Sequence, residues 1–409
     1  MDIKELKQQQ KDLVSWALFL VAFVIVLITS TSVLFPAFLL KSLGGFENLS
    51  GINPFETGIW TYPFLLTNFI VFGMLILYLK NKLPRLITVP VKLLFNLEIS
   101  AQVAFFVITI LLGFYIIFTV NELTNNEYDA DYYERVKSWL ENWTITDFRD
   151  NGGLGNYVGL FLLTSSMKIF GNYKVVPFIG SIALLLLTYL LTVEISKKRF
   201  AGIVSMVIVL QSGIFLMYDT SVTYPNFWIL FYLFSLYLVY KKWPISPISY
   251  VLSALSKPLT LAFLPMTAFF IYHSSVSRVT KILLAVCYAV IVVVGVAILS
   301  ISSGGLPKIL EFSSHDFIGG FTVVSSEFRF DGLVLLFLLP LTAGLFLASK
   351  KGMAHADSIM FLILGMLLSA PFMQGFSDLI TAPYRFIPLI VFFAIGVGIL
   401  LSKRIKEAI

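Results

Sequence analysis

Asp129 and Asp131 stand two positions apart in the stretch 127–135, the densest polar patch of the 409-residue chain, flanked by Tyr128, Tyr132 and Tyr133. Carboxylates at an Asp-x-Asp spacing suit metal coordination. One of them alone suits general-base work on a hydroxyl, given neighbours that tune its pKa. The same residues at a helix N-terminus would simply cap it and complement its dipole. Spacing leaves all three readings open. Elsewhere, Lys257 lies inside an apolar hairpin, where a cation is costly; it is either functional or a snorkelling side chain at the hairpin tip. Arg385 opens the last apolar run on the acid-rich side of the chain, where a phosphate or carboxylate partner or plain interfacial snorkelling would account for it. His315 and Asp316 form an acid–base or metal pair, or a solvated loop feature. Asp219, between Tyr218 and the Tyr224-Pro225 pair, lines a site at a helix end or sits in a turn.

The elements that must position these residues are set by composition. Hydrophobic residues make up 58% of the chain and charged residues 13%, against about 45–50% and about 25% in soluble domains. The apolar excess comes in long runs, which excludes a soluble enzyme, a disordered protein and a nucleic-acid reader. The single cysteine, Cys287, excludes an internal disulfide, a zinc site and a thiol-redox motif. What remains is an all-α polytopic membrane protein of about 11–13 transmembrane helices, because only internally bonded helices or closed barrels survive in hydrocarbon. Spans are expected near 13–35, 59–79, 99–120, 175–195, 201–217, 226–240, 282–301, 333–348, 359–372 and 384–401, with a Pro-broken hairpin over 245–272. The N-terminal run is too long for a cleavable signal and reads as a retained span. Segment 155–170, with Thr164-Ser165-Ser166-Met167-Lys168 at its centre, either crosses, re-enters or packs on the surface. Basic clusters at Lys80/Lys82/Arg85/Lys92, Lys197/Lys198/Arg199, Lys241/Lys242, Lys350/Lys351 and Lys403/Arg404/Lys406 orient the chain with both termini in the cytoplasm.

Two long loops then face outward, 121–156 and 302–331. The first holds Glu122, Glu127, Asp129, Asp131, Glu134, Glu141, Asp147 and Asp150; the second holds Glu311, His315, Asp316, Glu327, Arg329 and Asp331 among glycines. In the first, Tyr132, Val136, Trp139, Leu140 and Trp143 recur at helical spacing opposite Glu134, Lys137, Ser138 and Glu141. This predicts an amphipathic helix lying in the membrane interface.

A span from the cytoplasm followed by an outer loop that opens on an acidic Asp-x-Asp element, aromatics and an interfacial helix resembles the GT-C superfamily of membrane glycosyltransferases. The similarity continues through 155–170, Gly171-Asn172-Tyr173, the run 175–195, Lys197-Lys198-Arg199-Phe200-Ala201-Gly202, Ser256-Lys257-Pro258 and Ala382-Pro383-Tyr384-Arg385-Phe386. It covers roughly 99–406, so that 1–96 contributes two additional N-terminal helices and 97–409 the GT-C-like module. The arginine that often follows the Gly-Asn element is absent; Lys174 and Pro177 stand nearby instead.

The resemblance implies an inverting glycosyltransferase of the plasma membrane, working on its outer face. The donor would be a polyprenyl-phosphate sugar and the acceptor a hydroxyl on a lipid, glycan or protein; membrane lipids are partners and nucleic acid is not. Asp129 would be the catalytic carboxylate and Asp131 its helper, or a ligand to a divalent metal (Mg or Mn). Lys257, Arg385, Arg329 and Lys308 would be the candidate cations for the leaving phosphate, and His315, Asp316 and Asp219 would serve the substrate site. Two other classes compete: a transporter or flippase for a lipid-linked or small substrate, and a non-catalytic subunit of a membrane complex. Spans poor in acids and the lack of an internal repeat weigh against the transporter.

Overall fold

The computed structural model describes residues 3–38, 53–125, 127, 130–144, 156–302, 312–376 and 383–402. Among these residues every regular element is helical. The first helices are α1 (Ile3–Leu34), α2 (Thr61–Leu79) and α3 (Arg85–Asn96). The middle of the chain forms α4 (Ala101–Thr119), α5 (Ala130–Asn142), α6 (Tyr157–Phe170), α7 (Val175–Ser196), α8 (Arg199–Leu210) and α9 (Gly213–Tyr218). It continues with α10 (Phe227–Lys241), α11 (Ser246–Ser256), α12 (Leu264–His273) and α13 (Arg278–Ser302). The last are α14 (Ser314–Phe328), α15 (Gly332–Lys350), α16 (Ala354–Phe376) and α17 (Ile387–Leu400).

Among the described residues six helices are long and apolar enough to cross a membrane: Asp12–Leu34, Thr61–Leu79, Ala101–Leu123, Val175–Ser196, Gly332–Lys350 and His355–Phe376. The protein is therefore an all-α integral membrane protein. Shorter apolar helices include α6, whose 14 residues span about 21 Å, less than the roughly 30 Å of hydrocarbon. Its central polar residues have a use: the Ser166 hydroxyl donates to the Asn172 carbonyl at 2.6 Å and accepts from the Val176 N–H at 3.1 Å. The expected span 201–217 is broken. Gln211 and Ser212 end α8, and the Ser212 hydroxyl caps α9 by accepting from the Phe215 N–H.

The chain divides into two compact units, Met1–Leu97 with Leu306–Ile409, and Glu98–Gly305. In the first, α1 packs on α14, α15 and α16. The packing is polar at one end, where the Ser15 hydroxyl donates to buried Asp357 at 2.6 Å and Lys350 pairs with Asp12 at 2.9 Å. In the second, α10 packs on α7 and α11, and α7 on α8.

Two expectations about the outer loops are corrected. The segment 302–331 is not simply a loop: α14 occupies its second half. Phe317, Phe321, Val324 and Phe328 repeat at helical spacing, and the last three are buried. At Gly320 a Cβ would collide with the Pro371 backbone, so the absence of a side chain lets α14 lie directly on α16. The helix expected in 121–156 is present as α5, but its apolar face is covered by protein. Val136, Leu140 and Trp143 are buried in one cluster with Leu160 and Leu163 of α6, Tyr173, Val222 and Phe227. An apolar stripe beside a helix with matching apolar side chains gains more contact there than at a wet interface.

This packing predicts unequal effects of two substitutions. Leu140→Ala, which opens a hole in the cluster, should cost about 2–5 kcal/mol and lower the thermal unfolding midpoint in detergent. Glu134→Ala, on the exposed face, should change stability by less than about 0.5 kcal/mol. Equal, negligible shifts would mean that the apolar face of α5 meets lipid and not protein.

Candidate functional site

The candidate site is a cleft of about 310 Å³ within the Glu98–Gly305 unit, lined by Glu122, Asn125, Glu127, Lys174, Thr220 and Ser221, with Leu216, Met217, Tyr218 and Tyr224. Three segments converge on it, each for a local reason. The first leaves α4 through one turn of tighter helix, Val120–Leu123, and runs on to Glu127. The second is the turn after α6. Gly171 ends that helix at φ +67°, a left-handed conformation that glycine reaches without strain. The chain then reverses through Asn172, whose side-chain oxygen accepts the Lys174 N–H at 2.9 Å while its amide donates to the Leu123 carbonyl at 3.0 Å. The third is 219–225, between α9 and α10.

Lys174 ties the first two segments together. It is buried, and its ammonium donates to the carbonyls of Glu122 (3.1 Å) and Asn125 (2.8 Å). Burial pushes its pKa down, against the charges of Glu127, Glu122 and Asp219 that push it up. An ammonium has three donors, and these two carbonyls are the acceptors it meets among the described residues; Lys174 also lines the cleft. Among the described residues Lys174 forms no ion pair within 4.0 Å.

Glu127 ties the first segment to the third. One carboxylate oxygen accepts from the Val222 N–H; the other accepts from the Thr223 N–H at 3.3 Å and the Ser221 hydroxyl at 3.1 Å. With its lone pairs so engaged, Glu127 is a brace for the 221–223 turn more than a free base.

Asp219 lies behind the cleft wall, 1% exposed. Its Oδ2 accepts from the Tyr115 hydroxyl at 2.7 Å and the Thr119 hydroxyl at 3.4 Å, and its carbonyl accepts from Ser181 at 2.7 Å. Its Oδ1 has no hydrogen-bond partner among the described residues. Burial pushes its pKa up to about 7, the Tyr115 hydroxyl opposing and the Glu122 charge adding to the rise. Of the two readings of Asp219, the structure has it in the turn after α9 and not in the lining of this cleft: its neighbours Tyr218 and Thr220 form the wall, because the carboxylate is drawn inward by hydroxyls from α4.

The other expected residues fall as follows. Asp129, between Glu127 and α5, and Lys308 lie outside the described residues; Asp131 is the second residue of α5. Lys257 ends α11 in extended backbone (φ −160°), half-buried, with its ammonium 5.4 Å from the Trp228 ring centre. His315, Asp316, Arg329 and Arg385 belong to the other unit. His315 and Asp316 are exposed at the start of α14, 3.4 Å apart, and Asp316 takes the Ser313 hydroxyl as a cap for its N–H. Arg329 is exposed and stacks on Phe330 at 4.9 Å. Arg385 is half-buried, donating to Tyr384 Oη at 3.3 Å. These two arginines belong to one neighbourhood, since Phe328 and Phe386, their chain neighbours, meet at 6.0 Å. Among the described residues no three His, Cys, Asp or Glu side chains gather as a metal-holding group.

Pattern alone gives no role to Tyr115, and it marks Glu122 and Glu127 only as members of an acidic loop and Lys174 only as the residue near the Gly-Asn element. The available signal was a lysine at the mouth of a 22-residue apolar helix directly after a Gly-Asn turn. Chemically, the cleft joins a donor for an anionic oxygen such as a phosphate with the acidic segment that leads to Asp129.

No protein-family model, curated protein or solved structure matches the chain.

The raised pKa of Asp219 makes stability depend on pH with a definite sign. Its folded pKa of about 7 lies above the unfolded carboxylate value of 3.8, so the folded state holds the proton more tightly. Its contribution is complete below pH 4 and lost as pH rises to 7, a change on the order of a few kcal/mol. Unfolding midpoints in detergent from pH 4 to 8 should therefore fall more steeply for the wild type than for Asp219→Asn. Parallel profiles would show that Asp219 is ionised in the fold throughout.

Proposed function

We propose that the protein is an inverting glycosyltransferase of the GT-C type, moving a sugar from a polyprenyl phosphate to an acceptor hydroxyl at the extracytoplasmic face of the cell membrane. The observation that carries this reading is the cleft itself. A buried lysine that forms no ion pair among the described residues sits beside the acidic segment that follows a membrane-spanning helix, two residues before Asp129.

In this reading Asp129 takes the proton of the acceptor hydroxyl as its oxygen attacks the anomeric carbon. The bond from that carbon to the phosphate oxygen breaks, and the polyprenyl phosphate leaves with the electron pair. One displacement inverts the anomeric configuration. The leaving phosphate gains charge, and Lys174 supplies the donor that meets it. Asp131 supports Asp129, and is the ligand if a divalent metal takes part. Glu127, by bracing 221–223, holds the far wall of the cleft in place.

The test is sugar transfer by the purified chain in liposomes, offered a panel of polyprenyl-phosphate sugars. Asp129→Asn removes the charge but keeps shape and capping ability, and should lower the rate by about 10²–10⁴-fold at unchanged thermal stability. Lys174→Gln should raise the KM for the donor. Wild-type transfer by Asp129→Asn would remove the base from this loop, and absence of transfer with every donor would set the glycosyltransferase reading aside.

A further inference from the structure

A larger cavity, of about 600 Å³, lies wholly within the Met1–Leu97 and Leu306–Ile409 unit. It is the opposite of the cleft in character. Leu75 and Leu79 of α2, Ile87 and Val91 of α3, Leu347 of α15 and Leu400 of α17 make its walls. No acidic side chain lines it, whereas Lys92 and Lys351 do. The segment 61–96 contains no Asp or Glu, and carries Lys80, Lys82 and Arg85 besides Lys92. Neighbouring Lys350 is neutralised by Asp12 at 2.9 Å. Lys92 and Lys351 form no ion pair among the described residues.

Helix α3 explains how such a cavity can be open to lipid. None of its residues is buried. One stripe, Ile87, Val91 and Phe95, faces the cavity. A second, Leu86, Val89 and Leu93, is 90%, 64% and 64% exposed. An amphipathic basic helix with a bare apolar stripe rests in the interface of a bilayer. The helix ends that frame the cavity carry the basic residues after α2 and α15, and Lys403 and Arg404 follow α17 in the sequence. The positive-inside rule puts this end on the cytoplasmic side, where the leaflet is anionic.

We propose that this groove is a binding site for a phospholipid with an anionic headgroup, one acyl chain running between α2, α3 and α15, and the headgroup phosphate held by Lys92 and Lys351. The apolar walls take the chain, and the two ammoniums, which form no ion pair among the described residues, select the charge of the headgroup. A volume of 600 Å³ is in the range of roughly 300–1,000 Å³ typical of small-molecule sites. The proposal is independent of the sugar-transfer reading, since no residue of the cleft takes part.

Native mass spectrometry of the full chain tests it, released from micelles holding equal amounts of phosphatidylglycerol and phosphatidylcholine. The wild type should retain one phosphatidylglycerol in preference to phosphatidylcholine. A lysine at an anionic lipid surface is worth about fivefold in affinity, so Lys92→Gln with Lys351→Gln should lower phosphatidylglycerol retention about 25-fold and leave phosphatidylcholine unchanged. Val91→Trp, which fills the groove from the surface helix, should lose both lipids. Size-exclusion profiles and unfolding midpoints check that the variants fold; if Val91→Trp does not, the double lysine variant decides alone. Equal retention of the two lipids, or undiminished phosphatidylglycerol on the double variant, would overturn the proposal. So would displacement of the lipid by glycerol phosphate, which marks a free-phosphate site, or a dimeric mass lost on Val91→Trp, which marks a second copy as the occupant.

Discussion

An ammonium removed from water has to be given acceptors, and the cleft is organised around how Lys174 finds them. They are backbone carbonyls, those of Glu122 and Asn125, so the lysine fixes the path of the chain as it leaves α4 and not the rotamer of a partner side chain. Burying a charge without hydrogen bonds costs several kcal/mol, which makes the 120–125 segment and the Asn172–Lys174 turn a single element in practice. Asn172 strengthens the same joint through the Leu123 carbonyl. Glu127 then extends it to the 221–223 turn by accepting backbone N–H groups. Three chain segments far apart in sequence are thereby joined with only two charged side chains.

Behind this arrangement lies a second carboxylate with the opposite character. Asp219 is surrounded by hydroxyls from Tyr115 and Thr119, and sits where its charged form is disfavoured. Lys174 lines the cleft while Asp219 does not. The site thus separates a cationic wall from a buried carboxylate whose charged form burial disfavours. The other unit carries a different polarity, an apolar groove with basic residues at its edge. The two sites share the logic that a cation in or near a membrane needs acceptors, but they meet it in different ways: with backbone carbonyls in one and, as proposed, with a lipid phosphate in the other.

Much of this architecture follows from sequence alone. Apolar runs of about 20 residues have to be helices because hydrocarbon leaves backbone groups no other partner, so the spans over 61–79, 175–196 and 332–350 were legible to within two residues. The helix over 130–142 was legible from the spacing of Val136, Leu140 and Trp143. What periodicity does not carry is the identity of the surface that receives an apolar stripe. Protein side chains and lipid are equally apolar, so only the tertiary structure decided that α6 and Phe227 cover this one. The same ambiguity hid α14, since Phe317, Phe321, Val324 and Phe328 repeat correctly but are interrupted by glycines that read as loop. Gly320 serves close packing against Pro371 instead. The roles of Lys174 and Glu127 were likewise beyond the sequence, because a lysine near a span end looks the same whether it meets water or a backbone carbonyl 49 residues away, and a glutamate the same whether it meets water or a backbone N–H 95 residues away. Local pattern determined the elements; long-range hydrogen bonds, which no local pattern encodes, decided the site.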